Sequence, residues 1–111
     1  MPTDSFQRLV KIMRHLRSTE GCPWDREQTI QTLRRYLLEE TYEVLDAMER
    51  EDWPHLMEEL GDLQLQIVFQ SQIASEDGNF DIEDVLHAIS EKLVRRHPHV
   101  FSNKSVNSPE D

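Results

Sequence analysis

The sequence predicts an all-α fold, a single bundle of four helices. Apolar residues recur at three- and four-residue intervals along most of the chain, and nowhere with the strict alternation of a half-buried strand. Only 3 glycines interrupt the chain, and 31% of its residues are charged, a composition that favours helices. A length of 111 residues allows one domain, 1–111, with an ordered core from about 5 to 101 and a polar tail over 102–111.

The first helix is predicted from about Ser5 to Arg17, with Phe6, Leu9, Val10, Met13 and Leu16 on one face. A loop from Ser18 to Asp25 follows and holds Gly21 and Pro23. Asp25 with Gln28 resembles a capping box, so the second helix is expected to begin there and run to about Arg50. Ile30, Leu33, Leu37, Thr41, Val44 and Met48 form its buried side. Asp52 is a suitable N-cap for the third helix, and Pro54 is tolerated in the first turn. Leu56, Leu60, Leu63 and Ile67 mark its buried stripe, which reaches towards Ile73. Asp77-Gly78-Asn79 reads as a turn. Asp81 caps a fourth helix with Ile82, Val85, Leu86, Ile89 and Leu93 inside, ended by Pro98. Leu38, Leu45, Leu65, Val68 and Phe69 exceed what one seam needs and predict a second buried face, covered by oligomerisation.

The net charge of −10 argues against a nucleic-acid partner, because such proteins spread basic charge over one face. No apolar run approaches the roughly 18 residues of a membrane span, and the N-terminus has no signal-peptide apolar region. The single cysteine, Cys22, cannot form an internal disulfide, which suits the cytoplasm. Sixteen acidic residues lie between Tyr36 and Glu91 with one Lys or Arg, Arg50; the other eleven basic residues flank that stretch. This is either a solvated acidic surface or a segment built to hold cations between groups that could hold an anion. Composition alone does not choose.

Spacing narrows the choice. Glu40 and Glu43 are three apart, as are Glu59 and Asp62, so each pair projects to one side of its helix beside the apolar stripe. Antiparallel packing of the two helices would let all four carboxylates converge. Isolated pairs of this kind are usually solvated in so acidic a chain. Here no Lys or Arg stands three or four residues from any of the four, while Glu39, Asp46 and Glu58 add further negative charge. Like charges 4 Å apart repel by ~1 kcal/mol in water and ~4 kcal/mol at an effective dielectric near 20. A hard divalent cation would offset that. No histidine is expected at ligand spacing within the cluster, so the donors are oxygens, which favours Mg²⁺ or Mn²⁺ over Zn²⁺. His55 and His87 follow Asp52 and Asp84 by three, but are read as lying off the face of the Glu pairs, which disfavours a di-iron site. Gly61, inside a helix, signals either close helix packing or backbone room for a metal or phosphate.

Lys92, Arg95 and Arg96 form one cationic face at the end of the fourth helix, with His97 and His99 beyond. The helix macrodipole explains one or two such cations. The whole set suits an oligophosphate, and carboxylates holding metal beside a cationic patch is what phosphoryl-group hydrolysis needs.

Leu38-Glu39-Glu40-Thr41-Tyr42-Glu43-Val44-Leu45-Asp46-Ala47, Glu58-Glu59-Leu60-Gly61-Asp62-Leu63 and Lys92-Leu93-Val94-Arg95-Arg96-His97-Pro98-His99-Val100-Phe101 together resemble the MazG nucleoside triphosphate pyrophosphohydrolases. Gly21-Cys22-Pro23-Trp24-Asp25 is similar to that family's early loop, and the resemblance covers roughly residues 6–102. It implies an all-α NTP pyrophosphatase fold completed by a homo-oligomer (dimer or tetramer), and hydrolysis of an NTP to NMP and pyrophosphate. By matching positions, Glu40, Glu43, Glu59 and Asp62 would bind Mg²⁺, with Mn²⁺ as a substitute. Glu39 would act as base or touch metal-bound water, and Lys92, Arg95 and Arg96 would hold the phosphates. Trp24 and Tyr36 could stack on the base or serve as packing aromatics. Members often continue into a short Trp- and Lys-containing helix and a second, similar domain, whereas this sequence ends at Asp111. Two other readings stay open: a non-catalytic oligomerisation or regulatory domain that keeps the metal site, and a helical protein-interaction module.

Overall fold

The computed structural model describes residues 4–101, and every regular element among them is a helix. The polar tail expected over 102–111 lies outside the described residues. The helices are α1 (Ser5–Leu16), α2 (Pro23–Glu27), α3 (Ile30–Arg50), α4 (Trp53–Glu76), α5 (Ile82–Arg96) and α6 (Pro98–Phe101). The four long ones correspond to the four expected helices, α3 beginning later than expected, and the two short ones occupy the early loop and the segment after His97.

α4 is the hub, packing against α3, α1 and α5. α3 and α4 are antiparallel because only Glu51 and Asp52 join them. Glu51 takes the left-handed conformation at φ 53° and closes α3, its N–H reaching the carbonyls of Ala47 and Met48. Asp52 then accepts from the N–H of His55 at 3.3 Å, starting α4 with Pro54 in its first turn. A glycine suits the left-handed position better than Glu. Glu51→Gly is therefore expected to stabilise the chain by about 0.5–1 kcal/mol, read as a higher denaturant midpoint at unchanged slope.

The core gathers Val10 and Met13 of α1, Leu33 of α3, and Val68, Phe69 and Ile73 of α4, with Phe6, Leu9, Leu16, Tyr36, Leu65 and Ile82 partly buried around it. Several expected inward residues lie elsewhere: Ile30, Met48, Leu60, Ile67, Ile89 and Leu93 are exposed. α4 is apolar on more than one side, so period alone did not fix which side α1 would cover. The surplus apolar residues divide accordingly. Leu65, Val68 and Phe69 join the core, while Leu38 and Leu45 stand exposed with Tyr42, Trp53, Met57 and Leu60. α5 has no buried residue.

The second long helix does not begin at Asp25. α2 ends at Glu27, Gln28 is extended at ψ 145°, and Thr29 caps α3 in a reciprocal capping box with Thr32. Arg17 fixes this break. Its guanidinium donates to the carbonyls of Asp25, Arg26 and Gln28 at 2.7, 3.1 and 2.9 Å, and pairs with Glu76 at the end of α4. That pairing holds the Glu76 carboxyl below its usual range, hydrogen bonding to Arg17 being the largest cause.

Candidate metal centre

The two-residue connection sets the register of the site. Counting outward from it, Glu43 and Glu59 lie at nearly equal distances along their helices, and so do Glu40 and Asp62 one turn farther on. Opposed positions on antiparallel helices meet. Carboxylate oxygens of Glu40, Glu59 and Asp62 all lie within 4.8 Å of one another, and a second trio of Glu43, His55 and Glu59 meets the same limit. Glu59 belongs to both, and its side chain is only 12% exposed. All four expected carboxylates are thus brought together, two on each helix.

Electrostatics follow from that crowding. One oxygen of Glu40, Oε2, is buried with no hydrogen-bond partner. Burial is the largest cause that pushes the Glu40 carboxyl up to about 7, followed by the hydrogen bond its protonated form can give Glu59 and by the charges of Asp62, Glu59 and Glu43. Asp62 is raised as well, first by burial, then by Glu59 and Glu58. Among the described residues no Lys or Arg pairs with any of the four. Like charges gathered around an orphaned oxygen suit a hard divalent cation, which takes oxygen ligands and relieves the repulsion.

A pH dependence follows for the metal-free chain. Glu40 holds its proton more tightly folded than unfolded, so between its ordinary value of 4.5 and about 7 the native state binds more protons. Stability from this group is complete below the lower value and is lost as pH rises through the upper one. Thermal unfolding in a chelator should therefore show a falling midpoint across that window, and saturating divalent cation should flatten it. A midpoint indifferent to pH would contradict the crowding.

His55 is a correction to the sequence reading, which put it off the face of the Glu pairs. Its Nε2 lies 2.9 Å from Glu59 Oε2 and 3.8 Å from Glu43 Oε2. It stands four residues before Glu59 and therefore on the same face. That spacing was visible in the sequence; the approach of Glu43 from α3 was not. The oxygen cluster thus has a nitrogen at its rim. At Gly61 the sequence allows close helix packing or backbone room; a Cβ there would meet nothing within 4 Å, so close packing inside the chain is not its reason. Gln66, which the sequence reading passed over, is a further buried polar residue on α4, and its Oε1 is without a partner.

The remaining expected residues stand apart. Glu39 is exposed and pairs with Arg35 at 3.6 Å, outside the clustered oxygens. Trp24 and Tyr36 meet edge to face, with centroids 5.8 Å apart, and Arg35 lies over the Tyr36 ring. Lys92, Arg95 and Arg96 are exposed on α5, and no carboxylate among the described residues lies within ion-pair distance of them. Among the described residues the basic face and the carboxylates form no direct contact of that kind.

Comparison with known proteins agrees with this geometry. Residues 28–101 match the model of the MazG nucleotide pyrophosphohydrolase domain. The nucleoside triphosphate pyrophosphohydrolase of Escherichia coli (strain K12) is 57% identical over 104 residues, 93% of this chain and 40% of that protein. The nucleoside triphosphate pyrophosphohydrolase/pyrophosphatase MazG of Thermotoga maritima is 54% identical over 98 residues, 88% of this chain and 38% of that protein. The chain thus spans about 40% of the length of these curated relatives. Among solved structures, a mazG-related protein from Thermotoga maritima superposes with a TM-score of 0.74 at 32% identity, covering 91% of this chain and 87% of that one. A family match over most of the chain, shared by sequence and fold, places it: the chain belongs to the MazG nucleotide pyrophosphohydrolase domain family.

Proposed function

We propose that the chain is a Mg²⁺-dependent nucleoside triphosphate pyrophosphohydrolase unit that converts an NTP and water to NMP and pyrophosphate. The observation that carries this reading is the partnerless Glu40 oxygen beside Glu59 and Asp62, inside the segment that matches the family. Glu40, Glu43, Glu59 and Asp62 hold the cation, and Mn²⁺ substitutes for Mg²⁺, the more readily with the His55 nitrogen at the rim. When bound, the cation neutralises phosphate charge and makes water nucleophilic at neutral pH.

The chain's own groups complete the work. Glu39 takes the proton of the attacking water; its exposed pair with Arg35 is worth about 0–1 kcal/mol, so the carboxylate turns at little cost. Lys92, Arg95 and Arg96 bind the phosphates through charge-assisted hydrogen bonds and stabilise the leaving pyrophosphate. Trp24 and Tyr36 offer π-faces to the base. A homo-oligomer, dimer or tetramer, covers the exposed stripe of Leu38, Tyr42, Leu45, Trp53, Met57 and Leu60. No helix among the described residues is long and apolar enough to cross a membrane, and we place the protein in the cytoplasm with its nucleotide substrate.

Incubation with mixed NTPs and Mg²⁺, followed by ion-exchange chromatography, tests the reaction. Equal amounts of NMP and pyrophosphate are expected, with turnover lowered about 100-fold by Glu39→Gln. NDP and phosphate as products would contradict the proposal. A second reading, an oligomerisation or regulatory domain that keeps the metal site, is favoured by the exposed Leu38, Tyr42, Leu45, Trp53 and Met57. It predicts Mg²⁺ binding without turnover.

A further inference from the structure

Gln66 is the buried polar residue that the carboxylates leave unexplained. It is 8% exposed, and its Oε1 has no hydrogen-bond partner among the described residues. Such oxygens are rare in folded proteins, because desolvation without a replacement bond is costly. Its place in the fold is specific. Along α4, His55, Glu59, Asp62, Gln66, Phe69 and Ile73 follow one another at steps of four and three, which puts them on one stripe. Gln66 thus sits one turn beyond Asp62, between the carboxylate layer and the apolar core begun by Phe69.

Glu40 Oε2, on the facing helix, is the other buried side-chain oxygen left without a partner among the described residues. No Lys or Arg of either helix reaches them. α4 contains no Lys or Arg. On α3, Arg35 is held by Glu39, Arg50 by Asp46, and Arg34 reaches Gln31. Two buried acceptors, one on each of the two facing helices, thus have no hydrogen-bond partner among the described residues.

We propose that Gln66 is a positioning residue of the cation centre, its Oε1 accepting a hydrogen bond from the hydration shell of a divalent cation held by Glu40, Glu59 and Asp62. The inference rests on the cation-site reading above and extends it beyond the acidic residues. Mg²⁺ dehydrates reluctantly and usually keeps several waters. Their polarised O–H groups need acceptors, and the carboxylates are already committed as ligands. An amide oxygen supplies one without adding negative charge to the group that already raises Glu40 and Asp62. A Leu or Met would suit so buried a position but leave that donor bare.

The test is calorimetric titration of the metal-free chain with Mn²⁺, paired with thermal unfolding in EDTA, on the parent, Gln66→Met and Gln66→Glu. Without metal, Gln66→Met should melt above the parent, since an unsatisfied oxygen has been removed, yet bind Mn²⁺ about tenfold more weakly. Gln66→Glu should melt lower without metal and bind Mn²⁺ at least as tightly, because the acceptor is restored. Gln66→Leu, read in the same way, replaces Gln66→Met should the latter not fold. Mn²⁺ affinity of Gln66→Met within twofold of the parent, or a lower melting point without metal, overturns the role of Gln66 and leaves the carboxylate site standing. A parent that binds no Mn²⁺ overturns the cation site and this inference together.

Discussion

Glu59→Gln is expected to lower divalent-cation affinity about 100-fold and turnover with it, while leaving the metal-free fold intact or slightly more stable. Glu59 is the residue common to both trios, so no other single change removes charge from each. It hydrogen-bonds to His55 and contributes to raising both Glu40 and Asp62. The amide keeps the size and an acceptor oxygen but removes one of the charges that a cation would neutralise. At an effective dielectric near 20, one such pair at contact distance is worth ~4 kcal/mol, of which a 100-fold loss of affinity is about two-thirds. Mn²⁺ calorimetry and unfolding in EDTA read the two effects separately. A solvated acidic surface predicts the opposite pattern, with Glu59→Gln neutral in both measurements.

Gly21→Ala is expected to destabilise the chain by about 3 kcal/mol or more. A Cβ at Gly21 would lie 2.2 Å from the carbonyl oxygen of Leu16 and 2.3 Å from that of His15. Both are backbone atoms at the end of α1, so no side chain can swing away to make room. The loop is held there by hydrogen bonds from Gly21 N to Ser18 O and from Cys22 N to Leu16 O, each 2.9 Å. The same loop delivers α2, with Trp24 against Tyr36 and the carbonyls that Arg17 grips. Chemical denaturation measures the loss, and a midpoint equal to the parent's would show that the loop approaches α1 less closely than described.

The carboxylate site was legible because each pair obeys a helical spacing and the connection between the helices is only two residues long. Spacing fixes the face and the short connection fixes the register, so convergence of Glu40, Glu43, Glu59 and Asp62 needed no tertiary knowledge. The break before α3 was not legible. Asp25 with Gln28 and Thr29 with Thr32 offer comparable local caps, and the choice falls to Arg17, whose partner Glu76 is 59 residues away. His55 was misplaced because its significance depends on Glu43 arriving from the other helix. The inward stripe of α4 was misread for a similar reason: the helix is apolar on two sides, and only the docking of α1 decides which becomes core. The cationic set Lys92, Arg95 and Arg96 could be seen in the sequence, but spacing on α5 says nothing of its distance from the carboxylates.

A proton and a cation compete at Glu40. Ligating carboxylates must be deprotonated, so binding to a cluster whose Glu40 carboxyl sits at about 7 must release protons below that pH. The measurement is calorimetric titration of the metal-free chain with Mg²⁺ near pH 6 and again near pH 8.5, each in two buffers of different ionisation heat. Roughly one proton released per Mg²⁺ is expected at the lower pH, close to none at the higher, and correspondingly tighter binding there. Mg²⁺ binding that releases no proton near pH 6, or no binding at either pH, would contradict that competition.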